Sequence, residues 1–179
     1  MTIFKKIKVA FVSLLVMNSY LVFSQNAKEV SVEKSVFGIQ TGLLGIWAHN
    51  ELKLSNQVAL RSEVGLGGLN TANIRPVLAL EPRWYYNLKK RADKNKRIDG
   101  NSGNYISLRA RYHFHSTEDA KKSNLYHLLT VATWGIRRNI GKHFNYEAGV
   151  GTGLGFEKGN DREVNFLVPY ATFTIGYRF

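Results

Sequence analysis

The feature that most constrains this chain is a period-two alternation sustained over segments of roughly 11 to 15 residues. From Ile74 onward, Ile74, Pro76, Leu78, Leu80, Pro82, Trp84 and Tyr86 share one face, while Arg75, Val77, Ala79, Glu81, Arg83, Tyr85 and Asn87 share the other. The stretch from Tyr105 repeats this: Ile106, Leu108, Ala110, Tyr112 and Phe114 oppose Ser107, Arg109, Arg111, His113 and His115. From Phe144, Tyr146, Ala148, Val150 and Leu154 oppose Asn145, Glu147 and the alternate glycines Gly149, Gly151, Gly153 and Gly155. Val58, Leu60, Val64 and Leu66 oppose Arg61, Glu63 and Gly65, and the last segment alternates from Leu167 to Phe179. Alternation of this kind marks strands with two unlike faces.

A soluble sandwich would bury the apolar face and wet the charged one. A membrane barrel does the reverse, with apolar side chains toward lipid and polar ones toward the lumen. Three features favour the barrel. The segments are about twice the usual soluble strand of about 5 to 6 residues. Tyr, Trp and Phe gather near segment ends, as interfacial girdles do. Four alternate glycines would weaken a soluble strand, but they suit the wall of a narrow lumen.

The N-terminus reads as an export signal. Lys5, Lys6 and Lys8 precede an apolar run from Val9 to Phe23, and Val22 and Ser24 sit where a signal peptidase would cut before Gln25. The expected division is a cleaved signal over 1–24 and a barrel over 25–179. The run is short for a spanning helix, which needs about 20 apolar residues. The chain carries 25 Lys and Arg against 13 Asp and Glu, a formal charge of +12. Such a balance would ordinarily suggest nucleic acid, but an exported chain does not meet the genome. A mean hydropathy of -0.22 excludes a multi-span helical protein. The absence of cysteine excludes a disulfide scaffold, a thiol nucleophile and thiolate metal sites.

An up-and-down barrel with both termini on one side needs an even strand number. Counting back from Phe179 predicts strands near 164–179, 143–157, 126–139, 104–116, 74–88 and 57–67. The stretch 32–54 then supplies two, near 34–43 and 46–54, divided at Leu44-Gly45, although 36–53 could also read as one long strand. The expected fold is therefore all-β: a closed antiparallel up-and-down transmembrane barrel of eight strands. This parity places Ser55-Asn56 and 140–142 in periplasmic turns, and 68–73, 117–124 and 158–163 in outer loops. It also leaves 89–103 as an unusually long periplasmic turn.

Several segments resemble a known group: Asn50-Glu51-Leu52-Lys53-Leu54-Ser55-Asn56, Leu60-Arg61-Ser62-Glu63-Val64-Gly65, Leu80-Glu81-Pro82-Arg83-Trp84-Tyr85-Tyr86-Asn87-Leu88 and Trp134-Gly135-Ile136-Arg137-Arg138-Asn139-Ile140-Gly141. With them the chain resembles small outer-membrane β-barrel proteins of the Bacteroidota type, in the broad porin-like and outer-membrane-protein-A-like group. The final Gly176-Tyr177-Arg178-Phe179 resembles the C-terminal signature of such barrels, so Tyr177 and Phe179 would be read by the barrel-assembly machinery. The resemblance implies an outer-membrane location in contact with membrane lipid and lipopolysaccharide. It says little about activity.

The best-defined constellation is inward-facing charge: Glu51, Arg61, Glu63, Glu81, Arg83, Arg109, Arg111, Arg137 and Glu147. An unpaired charge inside a narrow barrel is costly, so an interlocking ion-pair plug is expected. The alternative is a small-solute channel with weak anion preference, which a slight excess of lumen arginine would favour. A lipid A-modifying enzyme is a second alternative. His113, His115, Ser116 and Glu118 raise a hydrolase triad, but His115 and Ser116 are adjacent and point to opposite faces, so no catalytic residue is expected. His49, His115 and His127 could hold a metal, yet no spacing supports one, and neither metal nor cofactor is expected. Lys89, Lys90, Arg91, Lys94, Lys96 and Arg97 make the long turn basic. A solvated cap is the plain reading; contact with anionic headgroups or an acidic partner is the other. The expected role is structural or interactive within the cell envelope.

Overall fold

The computed structural model describes residues 29–43, 45–67, 74–114, 128–158 and 163–179. The expected export signal lies outside them, as do 68–73 and 115–127. Eight strands close into an all-antiparallel barrel in chain order. They are β1 (Ser35–Gly42), β2 (Gly45–Lys53), β3 (Val58–Gly67), β4 (Arg75–Trp84), β5 (Asn104–His113), β6 (Leu128–Ile140), β7 (Phe144–Lys158) and β8 (Glu163–Arg178). β1 closes on β8, with Gly38 opposite Arg178 and Gly42 opposite Thr174.

The division of 32–54 into two strands holds. β1 and β2 form a hairpin from Ser35 opposite Leu52 to Gly42 opposite Gly45. Gly45 permits the reversal: its φ is +137, and a side chain there would strike the Leu66 backbone.

The faces follow the alternation. Leu78, Leu80, Leu108, Val150 and Phe173 lie on the outside, each about half exposed, and their chain neighbours point inward. The three prolines, Pro76, Pro82 and Pro169, all face outward. Between β4 and β5 the pairing lapses at Glu81 and Pro82 and resumes in the same register, with Leu80 opposite Ala110 and Arg83 opposite Ser107. Proline has no N–H to give the ladder.

Two strands are shorter than the sequence suggests. β5 ends at His113, and β4 ends at Trp84, four residues before the expected 88. Alternation runs on through the buried Tyr85, so periodicity could not mark the end. Beyond it, 89–103 is not a bare turn. Helix α1 (Leu88–Ala92) and the 3-10 turn η1 (Asp99–Asn101) fold back beneath the barrel. Leu88 is fully buried and forms an apolar layer with Val32, Ala59, Tyr85 and Tyr105, flanked by Val30 and Ile98. This layer closes the end at which β1 begins and β8 finishes, hereafter the terminal end. The Tyr85 and Tyr105 rings meet at 5.6 Å. Tyr105 also lies over Gly135 on β6, where any side chain would displace the ring.

Candidate functional site: the charged lumen

The inward positions of β2 to β7 bring all nine expected charges together. None is more than 9% exposed. Glu51 on β2 is the hub nearest the terminal end. Its Oε1 accepts from Arg137 at 2.7 Å, Arg83 at 3.1 Å and Arg61 at 3.2 Å. Its Oε2 accepts from the Tyr85 hydroxyl at 2.9 Å and the Asn101 amide at 2.8 Å. Glu147 on β7 takes Arg61 on one oxygen and Arg83 on the other, each at 3.0 Å, with Arg137 at 3.3 Å.

Two further carboxylates extend the network toward the opposite end. Glu81 on β4 holds Arg83 at 3.0 Å and Arg109 at 2.7 Å. Glu63 on β3 accepts from Arg61 Nε at 2.6 Å and from Arg109 at 3.3 Å. Gln40 joins Arg61 to Glu147: its carbonyl oxygen accepts from Arg61, and its amide donates to Glu147 at 3.0 Å. Arg111 sits at the margin, 4.0 Å from Glu63 and over the Trp47 ring at 5.3 Å. β2 and β7 contribute only glutamate, β5 and β6 only arginine, and β3 and β4 one of each, so every guanidinium finds a carboxylate on another strand. Charge-assisted pairs of this kind are the strong ones. Above the network remains a cavity of about 10 Å³ lined by Gln40, Trp47, Glu63, Arg109, Arg111 and Thr174. That is on the order of one water.

Residues outside the sequence-expected set complete the site. Gln40, Trp47 and Tyr85 occupy inward alternation positions, so the pattern could have supplied them. Asn101 could not be foreseen, because η1 carries it into the barrel from the long turn. His49, weighed above with His115 and His127, is 2% exposed within the barrel, its ring against Gly38. No group of three metal-ligating side chains occurs among the described residues. His115, Ser116, Glu118 and His127 lie outside them.

The long turn divides into working parts. Arg91 is partly buried and donates to the Arg97 carbonyl at 2.8 Å. Arg97 pairs with Asp99 at 2.8 Å. Asp99 also receives Asn139 at 3.1 Å and Arg178 at 3.0 Å, and Arg178 reaches Glu33 at 3.2 Å. The hydrogen bonds from Arg97 hold the Asp99 carboxyl below its ordinary range against the opposing effect of partial burial. Gly100, at φ +56, lets the Arg178 side chain cross directly over the backbone. Lys89, Lys90, Lys94 and Lys96 remain exposed. Tyr177 and Phe179 face outward in an aromatic cluster with Phe37 and Phe144.

No family model, no curated protein and no solved structure matches the chain.

Proposed function

We propose that the protein is an outer-membrane β-barrel with a sealed lumen and a structural or interaction role in the cell envelope. The carrying observation is the inversion of the two faces: an apolar outer wall surrounds an interior of buried ion pairs. Placing that outer wall in water would be unfavourable by roughly 25 cal/mol per Å² of apolar surface, and acyl chains remove the penalty. The nine lumen charges hold one another, so the barrel acts as a rigid scaffold and not as an open pore. The role is non-catalytic, and Tyr177 and Phe179 serve recognition by the assembly machinery.

A weakly anion-preferring channel is the second reading, favoured by one specific feature: five lumen arginines face four glutamates. Planar-bilayer recording separates the two. The sealed reading predicts no unitary current steps; reproducible steps would overturn it. Mass spectrometry of lipid A from cells with and without the protein tests the non-catalytic role, with an unchanged acylation pattern expected.

A further inference from the structure

Among the described residues outside the lumen, the net charge gathers at one end. The terminal-end segments 29–34, 53–57, 85–103 and 138–143, with Arg178, carry eleven Lys and Arg against four Asp and Glu. At the opposite end, the described residues carry two of each, Arg75 and Lys158 against Glu157 and Glu163. Among the described residues, topology therefore turns a diffuse excess of basic residues into a net charge of +7 at one end and zero at the other.

The exposed lysines are also spread around the rim. Lys34 precedes β1, Lys89, Lys90, Lys94 and Lys96 lie between β4 and β5, and Lys142 lies between β6 and β7. Inside this ring runs a band of aromatic side chains that are amphipathic at their outer edges. Trp84 and Trp134 occupy one row, joined through Ile106. Trp84 donates to Gln57 at 3.2 Å and Trp134 to the Tyr86 hydroxyl at 2.8 Å, each on the terminal-end side. Trp and Tyr in such a band mark the boundary between acyl chains and headgroups. The lysines stand just beyond it, on stems long enough to reach along the boundary.

We infer that the terminal-end rim binds the headgroups of anionic glycerophospholipids in the leaflet that surrounds it. The inference rests on the membrane-spanning reading above. Four of these lysines share the turn between β4 and β5, and Lys34 and Lys142 extend the basic surface to two other turns, at the level just beyond the Trp band where a leaflet's headgroups stand. Attraction of this type decays within about 10 Å at 0.1 M salt, a distance within which the lysines and the headgroups meet.

The test reconstitutes the full chain in vesicles of phosphatidylcholine carrying spin-labelled phosphatidylcholine, phosphatidylglycerol or lipopolysaccharide. The readout is the relative association of each labelled lipid with the barrel. Phosphatidylglycerol should be preferred over phosphatidylcholine by about threefold or more at low salt, and the preference should shrink at about 0.5 M salt. Combining Lys89→Gln, Lys90→Gln, Lys94→Gln and Lys96→Gln should bring the ratio toward one and leave insertion unchanged. Insertion with no preference, a preference the quadruple variant retains, or a stronger preference for lipopolysaccharide would each overturn the inference alone. Failure to insert into any vesicle would overturn the membrane reading as well.

Discussion

A glutamate in the lumen of this barrel answers two or three guanidinium groups at once. Glu51 touches Arg61, Arg83 and Arg137 within 3.2 Å, and Tyr85 and Asn101 fill its second oxygen. Removing its charge leaves Arg137 with Glu147 alone, while Arg61 and Arg83 must share Glu147 and keep Glu63 and Glu81 beside it. Glu51→Gln is therefore expected to destabilise by about 3–5 kcal/mol, the range for breaking a buried pair from one side. Urea unfolding of the barrel in vesicles measures it, and a change under 1 kcal/mol would indicate that water already compensates these charges. On the outer wall the sign of preference reverses. Leu80→Arg, at mid-height of β4, should cost about 2–4 kcal/mol in the same assay, as cations do at a bilayer midplane. The nine lumen charges were legible because strand geometry alone decides which way each residue points. Asn101 was not, because its approach to Glu51 depends on a turn whose path no periodicity encodes.

At the scale of elements, the segment between β4 and β5 differs most from expectation. Its composition reads as a solvated basic turn, and four of its lysines are exposed. Its apolar members, Leu88 and Ile98, were hidden among the charges, yet they fold back to stop the barrel. Leu88→Ala should destabilise by about 2–5 kcal/mol, the cost of truncating a buried leucine. The variant's unfolding midpoint in urea checks it, and an unchanged midpoint would mean that the cap is not coupled to the barrel. The cap is also tied to the rim through Asp99. Because the folded state holds the Asp99 carboxyl below its ordinary value of 3.8, its contribution is present above that value and is lost as pH falls through the lower folded one. Asp99→Asn should thus weaken the protein slightly at neutral pH, by under about 1 kcal/mol for so exposed a group. The difference from wild type should vanish in acid, where the native carboxyl is also protonated. A difference in unfolding midpoint that persists unchanged into acid would assign the effect to lost packing instead.

The whole molecule is an inside-out arrangement, and most of it could be read in advance. Strand number, hairpin division and face assignment all followed from a two-residue period and the parity of a closed sheet. Strand ends were less legible, since Tyr85 keeps the alternation after the hydrogen-bonded ladder has stopped. The formal charge of +12 also takes on meaning only at this scale: among the described residues the lumen nearly balances, one end balances, and the excess collects on the other rim. The central claim is that the apolar wall faces lipid. The chain has no cysteine, so single spin labels can be placed without background at Val64, Leu80, Leu108 and Val150 on four different strands. The decisive measurement is the accessibility of these labels in vesicles to oxygen, which concentrates in acyl chains, and to a water-soluble nickel chelate. The account predicts high oxygen and low nickel accessibility at all four positions. High nickel accessibility at all four, in protein that stays in the aqueous phase, would contradict it.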